Sequence, residues 1–215
     1  MKDSIEKVFE LYCSTENDNK LKEINNYINK YLELKNKIII KSVKDLSENL
    51  KEKYNPEENS ETFLNNAFIK AKSLYDLIKK PVFAEDSGLE VKALNNRPGV
   101  QSARYAKTNS ERIEKLLFEL KSFEGEERKA NFTTCLCYLD IYANPIYFFG
   151  RVDGFISEKP SGVNGFGYDP VFYYPPLNKT FAEISMEEKQ SVSHRAKALK
   201  LFLNFLTKQL EKDMI

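Results

Sequence analysis

Apolar residues recur along the chain at two spacings, and these divide it into helices and strands. The short runs Lys7–Cys13 and Ile38–Ile40 predict buried strands, because they are apolar without a helical period. Leu21, Ile24, Ile28, Tyr31 and Leu32 follow a 3.6-residue period and predict a helix over Lys20–Glu33. Phe63, Ala67, Ala71, Leu74 and Ile78 repeat in the same way and predict a long amphipathic helix that Pro81 stops. Val82–Ala84 reads as a strand running into the polar cluster Glu85-Asp86-Ser87-Gly88, then a hairpin-like stretch over Leu89–Leu94 and a turn at Arg97-Pro98-Gly99. Ile113, Leu116, Leu117 and Leu120 form another helical face, with Asn109 and Ser110 as candidate caps. Asn131–Ile156 is strand-like, punctuated by Pro145 and Gly150. Leu199, Phe202, Leu203, Leu206 and Leu210 line a final helix; Ala198, Leu201 and Phe205 widen that face, which predicts burial on two sides. Helices and strands interleave early and strands cluster in the middle, so the expected fold is α/β with a mixed sheet, one compact unit over residues 1–215.

Composition narrows the function classes. The hydrophobic fraction of 41% supports a sizeable core in 215 residues. Thirty-three basic and thirty-two acidic residues leave a formal charge of +1, so there is no electrostatic footprint for nucleic acid or an anionic membrane. No apolar run approaches the ~20 residues that span a bilayer, and Met1–Glu6 does not open a signal peptide. The cysteines are Cys13, Cys135 and Cys137; an odd count without a Cys-x-x-Cys pair points to buried thiols in a reducing, cytoplasmic setting.

Four polar clusters stand at element ends. Ser14–Lys20, at a strand-to-helix turn, is either a capped helix start or an anion site with a lysine one turn in. Glu57-Glu58 precedes a helix, where carboxylates usually serve as dipole partners. Glu85-Asp86-Ser87-Gly88 follows an apolar strand; it is a polar turn, or two hard ligands at the carboxyl end of a sheet, where α/β folds bind ligands and magnesium. The fourth cluster runs from Gly165-Phe166-Gly167-Tyr168-Asp169 to Lys189 and Ser193-His194-Arg195, with aromatics beside glycines that let a flat ring approach the backbone. No serine or cysteine stands in a nucleophile context. The chain lacks the Gly-x4-Gly-Lys-Ser/Thr loop and the Rossmann glycine fingerprint.

In these clusters the chain resembles the Ham1/inosine triphosphate pyrophosphatase family. The matching stretches are Ser14-Thr15-x-Asn17-x-x-Lys20, Glu58-x-x-x-Thr62-Phe63-x-x-Asn66-Ala67-x-x-Lys70-Ala71, Ala84–Leu94, Arg97–Ala106, Gly165–Phe172, and Phe181–Ser185 with Glu188-Lys189-x-x-x-Ser193-His194-Arg195. Glu16, Ser60, Gln101 and Lys107 depart from the usual pattern; Glu16 places a carboxylate where glycine is usual, close to the expected phosphates. The resemblance implies an elongated mixed sheet flanked by helices, two lobes with the active-site cleft between them, and a homodimer. It further implies hydrolysis of ITP, dITP and XTP to monophosphate and pyrophosphate, with magnesium as cofactor and manganese as a substitute. By matched position, Thr15, Glu16, Asn17, Asp18, Asn19 and Lys20 would hold the triphosphate, and Glu58 and Asp86 the metal. Asp86 would accept the proton of the attacking water, with Glu85 in support and Ser87 touching substrate. Phe166, Gly167, Tyr168, Asp169, Lys189, His194 and Arg195 would hold base, sugar and phosphates. Two other readings are a Maf-type pyrophosphatase for modified pyrimidine nucleotides and a non-catalytic nucleotide-binding module.

Overall fold

The computed structural model describes residues 8–31 and 37–212. The chain divides into two compact units. The first takes in Met1–Glu85, Cys135–Phe148 and Leu199–Ile215; the second takes in Asp86–Thr134 and Phe149–Ala198. The strands are β1 (Phe9–Cys13), β2 (Ile38–Ser42), β3 (Val82–Val91), β4 (Arg97–Pro98), β5 (Lys129–Leu139), β6 (Pro145–Ile156), β7 (Phe172–Tyr174) and β8 (Lys179–Thr180). They pair in the order β2-β1-β3-β5-β6-β7-β8, with β4 on β3. The sheet is mixed: β1 runs parallel to β2 and β3, whereas β3/β4, β6/β7 and β7/β8 are antiparallel.

In the first unit, β1 leads into α1 (Asp18–Asn29), and α2 (Glu48–Lys53) and α3 (Phe63–Ile78) follow β2. Thr62 caps α3 by accepting the Asn65 N–H, and Lys79 ends it in the left-handed conformation just before Pro81. Ala67, Ala71 and Leu74 of α3 pack on Val82 and Ala84 of β3 and on Cys135, Cys137 and Leu139 of β5. The close Ala surface lets helix and sheet approach. Side chains alternate across a strand, so Phe83 faces the other way. There it meets Phe202 of α6 (His194–Glu211), which also packs on Tyr138 and Phe148. Helices therefore cover both faces of this part of the sheet.

In the second unit, Ile113 and Leu116 of α4 (Asn109–Glu119), with Leu120, share a core with Ala130, Phe132, Val152, Ile156, Phe172 and Phe181. Arg128 fastens the end of this core. Its buried guanidinium donates to the carbonyls of Ile156, Leu120, Phe123 and Ser157 at 2.7, 2.8, 3.2 and 2.8 Å. Because carbonyls left dry and unpaired cost ~1–3 kcal/mol each, Arg128→Ala should destabilise the protein by about 3 kcal/mol or more. A urea denaturation series reads this directly; a loss under ~1 kcal/mol would make the guanidinium incidental.

Several expectations need correcting. Ile39 is 48% exposed, because β2 is the last strand of the sheet order; the Ile38–Ile40 run is an edge and is not buried throughout. Glu85 and Asp86 lie within a ten-residue strand rather than after it, since β3 continues to Val91 before Lys92–Leu94 turns back to β4. Leu201 is 51% exposed, so the burying face of α6 runs through Leu199, Phe202, Leu203 and Leu206 without it. Thr108, one residue earlier than expected, caps α4 in a reciprocal pair with Glu111. The first helix ends at Asn29; Leu32 and Glu33, and Lys7 of the first strand, lie outside the described residues.

Candidate active site

The sequence-predicted residues of the first unit gather at the ends of β1, α1 and α3. Asn17 is the N-cap of α1, and its Oδ1 accepts the N–H groups of Asn19 and Lys20 at 3.0 and 3.2 Å. Thr15 Oγ1 in turn accepts the Asn17 N–H at 3.2 Å. Asn17 thus shapes the turn, and two of the N–H groups considered for an anion are engaged by its cap. Glu16, Asn17, Asp18 and Asn19 are exposed, so Glu16 points its charge to water. Asp18 pairs with Lys44. Lys20 reaches Glu85 at 3.1 Å, where the carboxylate is almost wholly buried. That pairing, on one face of β3, is what a buried carboxylate requires.

Glu58 sits in a loop that α3 grips at two points one turn apart. Asn66, fully buried, accepts the Ser60 N–H and donates to the Ser60 carbonyl, both at 3.0 Å. Lys70, at 8% exposure, places its ammonium 3.0 Å from Glu58 Oε2. The Lys70 carbonyl accepts the Ser14 hydroxyl at 2.9 Å, so the Tyr54 hydroxyl is the donor in its 2.5 Å contact with Ser14. Burial pushes the Tyr54 phenol up to about 12, which keeps it protonated for that role. Tyr54, Asn66 and Lys70 are not among the sequence-predicted site residues, and Ser14 enters there only as the first member of the Ser14–Lys20 cluster. The signal was present for Asn66 and Lys70, which stand four residues apart inside the motif that begins at Glu58.

Asp86 and Ser87 open the second unit. Asp86 is 7% exposed. As its strand neighbour, Glu85 leaves the backbone on the opposite face, so the two carboxylates do not form a side-by-side pair. Arg195 Nη2 donates to Ser87 Oγ at 3.4 Å, and its guanidinium stands 5.7 Å from the Phe166 ring centre. The Lys189 ammonium lies 4.8 Å from the same ring. Lys189 comes from α5 (Met186–Val192), a helix the apolar pattern alone does not reveal; its signal is the Ser185-x-x-Glu188 capping box. One aromatic ring is thereby flanked by two buried cations, an arrangement worth more than at an exposed surface.

The loop holding Phe166 is built by Asp169. Its Oδ2 accepts the Phe166 N–H at 2.8 Å and pairs with Lys189 at 2.6 Å, at 2% exposure. Gly165, at φ +72°, passes so close that an added Cβ would lie 2.1 Å from Asp169 Oδ2. Tyr168 is committed elsewhere: it is 4% exposed within the core and donates its hydroxyl to the Ser102 carbonyl at 2.9 Å. Only Phe166 of this pair remains as an aromatic neighbour for a base. His194 is the first residue of α6 and stacks on Phe132, with ring centres 4.7 Å apart.

Gly150 sets where α6 begins. An added Cβ there would lie 1.9 Å from the His194 carbonyl oxygen and 2.8 Å from the Ala198 nitrogen. Gly150→Ala should therefore shift the turn that carries His194 and Arg195, costing ~1–3 kcal/mol of stability. A urea midpoint equal to wild type in that variant would show that the start of α6 tolerates displacement.

A groove of about 850 Å³ on the other sheet face of the second unit is lined by Glu90, Asn131, Arg151, Asp153 and neighbours, and contains none of these predicted residues. Among the described residues, no group of three or more His, Cys, Asp or Glu is gathered as a ready-made metal cage. Such a cage suits calcium or zinc; magnesium characteristically uses one or two carboxylates and completes its shell with water and substrate phosphates. Glu58 and Asp86 are each hard oxygen donors of the kind magnesium takes.

A family profile described as the Ham1 family matches residues 11–205. A dITP/XTP pyrophosphatase of Leptospira interrogans is 42% identical over 200 residues, 92% of this chain and 96% of that protein. A dITP/XTP pyrophosphatase of Treponema denticola is 47% identical over 154 residues, 68% of this chain and 77% of the other. The solved structure of a HAM1 protein from Coxiella burnetii superposes with a TM-score of 0.81 at 33% identity, covering 94% of this chain and all of that one.

Proposed function

Because this chain belongs to the Ham1 family, we propose that it hydrolyses non-standard purine nucleoside triphosphates, ITP, dITP and XTP, to the monophosphate and pyrophosphate. In doing so it cleanses the nucleotide pool. The observation that carries the reading is the buried Arg195 guanidinium beside the Phe166 ring and Ser87. It offers a flat apolar surface for a base and a pure donor for a base carbonyl.

Phosphoryl transfer asks for charge neutralisation and positioning more than for covalent chemistry. Glu58 and Asp86 would hold Mg2+, for which Mn2+ would substitute; when bound, the ion would acidify a water and offset phosphate charge. Asp86 accepts the proton of the attacking water. Glu85 supports the reaction by holding Lys20, with its carboxylate 3.1 Å from the ammonium. Thr15 to Lys20 border the phosphates, Lys189 and Ser87 orient the substrate, and Phe166 to Asp169 with His194 and Arg195 form the base and sugar end.

The three cysteines are free and buried, which supports a cytoplasmic protein. No helix among the described residues is long and apolar enough to cross a membrane. A homodimer belongs to the same proposal and is carried over from the family resemblance alone. Glu58, Glu85 and Asp86 are all present, which disfavours a non-catalytic nucleotide binder. Phosphorus NMR of ITP hydrolysis should show IMP and pyrophosphate, with activity abolished by excess EDTA and restored by Mg2+. IDP and orthophosphate as products, or full turnover in EDTA, would overturn the reading.

A further inference from the structure

We infer that Ser102 and Tyr168 are positioning residues for the base: their hydroxyls tie the Phe166 loop to β3 and so fix the aromatic platform relative to Ser87, without touching the nucleotide. The inference rests on Phe166 as the base platform of the proposed function and adds what holds that platform in place.

Ser102 lies in the turn segment Gly99–Arg104 of the second unit and is 8% exposed. The register of β3 on β4 pairs Glu90 with Pro98, so Gly99 comes opposite Leu89. There the Ser102 hydroxyl stands between the two backbones. It accepts the Leu89 N–H at 2.9 Å and donates its single proton to the Gly99 carbonyl at 2.6 Å. The Ser102 carbonyl in turn accepts the Tyr168 hydroxyl at 2.9 Å. One residue thus joins Leu89, two positions beyond Ser87, to Tyr168, two positions beyond Phe166.

The loop has need of such a tie. Gly165 and Gly167 flank Phe166 at φ +72° and +63°, and glycine restrains the backbone least. The N–H groups of Val163 and Asn164 donate to the Ala182 carbonyl, which holds the loop to the segment after β8. Lys189 and Arg195 flank the ring, but attraction between a cation and a ring face within ~6 Å sets no single position for the ring. The Tyr168 hydroxyl adds an anchor on the β3 side, and at 4% exposure little water competes for it. Burial pushes its phenol up, so it stays a donor.

The test compares wild type, Tyr168→Phe, Ser102→Ala and the double variant, with circular dichroism to establish folding. Tyr168→Phe removes one buried oxygen and keeps the ring in the core, so it carries the test should Ser102→Ala not fold. Each single change is expected to raise KM for ITP about tenfold with kcat unchanged, one lost hydrogen bond carried into binding. Both changes break the same strut, so the double variant should be no worse than the worse single one. A second readout is independent of turnover. The chain has no tryptophan, so in a Phe166→Trp background the indole reports on its own loop. Its fluorescence anisotropy without nucleotide is expected to fall when Tyr168→Phe is added. Unchanged anisotropy in that folded variant, or additive effects on KM, would overturn the proposal and leave the two hydroxyls a scaffold. Lowered anisotropy with wild-type KM would instead overturn the base platform beneath it, and the two failures are distinct.

Discussion

Asp86→Asn is expected to lower turnover of ITP by more than ~10²–10⁴-fold, the usual cost of removing an acid–base group. The change keeps the side chain's shape and removes at once a charge and the proposed metal ligand and proton acceptor. Asp86 is nearly buried within β3, so water does not readily replace the missing function. Glu85→Gln, on the opposite face of the strand, acts through Lys20 and should cost less; its effect should fall more on KM than on turnover. The measurement is steady-state kcat at saturating Mg2+ and ITP. An Asp86→Asn variant with more than about a tenth of wild-type turnover would place the base elsewhere.

Arg195→Ala is expected to erode the preference for ITP over ATP, chiefly by losing ITP activity. Hypoxanthine and xanthine carry a carbonyl at position 6, which Arg195 can satisfy, whereas adenine presents an amino group, donor against donor. A buried charged donor left unpaired costs more than the ~1–3 kcal/mol of a neutral one, and sites built on such bonds reject the wrong partner by ~10⁴-fold or more. At 3% exposure Arg195 has little water to fall back on. Kinetic constants for both nucleotides in wild type and variant check this. An unchanged ratio would move base reading to His194 or the backbone around Gly167.

Much of this arrangement is legible in the sequence, because period and punctuation are local signals. The 3.6-residue repeat from Phe63 and the stop at Pro81 bracket α3, which runs from Phe63 to Ile78. What escapes is decided by tertiary packing. Ile38–Ile40 reads as buried because three isoleucines look alike, yet only strand order says that β2 is an edge. Glu85-Asp86-Ser87-Gly88 reads as a turn because charges rarely occupy a strand interior. The strand survives there because Lys20, brought in by α1, meets Glu85. Likewise Tyr168 and Phe166 look equivalent beside their glycines, but the Ser102 carbonyl draws Tyr168 into the core. The ion pairs Lys20–Glu85, Lys70–Glu58 and Lys189–Asp169 join residues 12 to 65 positions apart, and no local pattern announces them.

The central claim is selectivity for deaminated purine triphosphates, and kcat/KM for pyrophosphate release across ITP, XTP, dITP, ATP, GTP and dUTP tests it most directly. The account predicts that ITP, dITP and XTP exceed ATP by at least ~10²-fold, with dUTP among the poor substrates. Comparable values for ATP and ITP would contradict the base-reading role of the Arg195 end of the site. A maximum at dUTP or another pyrimidine nucleotide would contradict the purine assignment itself.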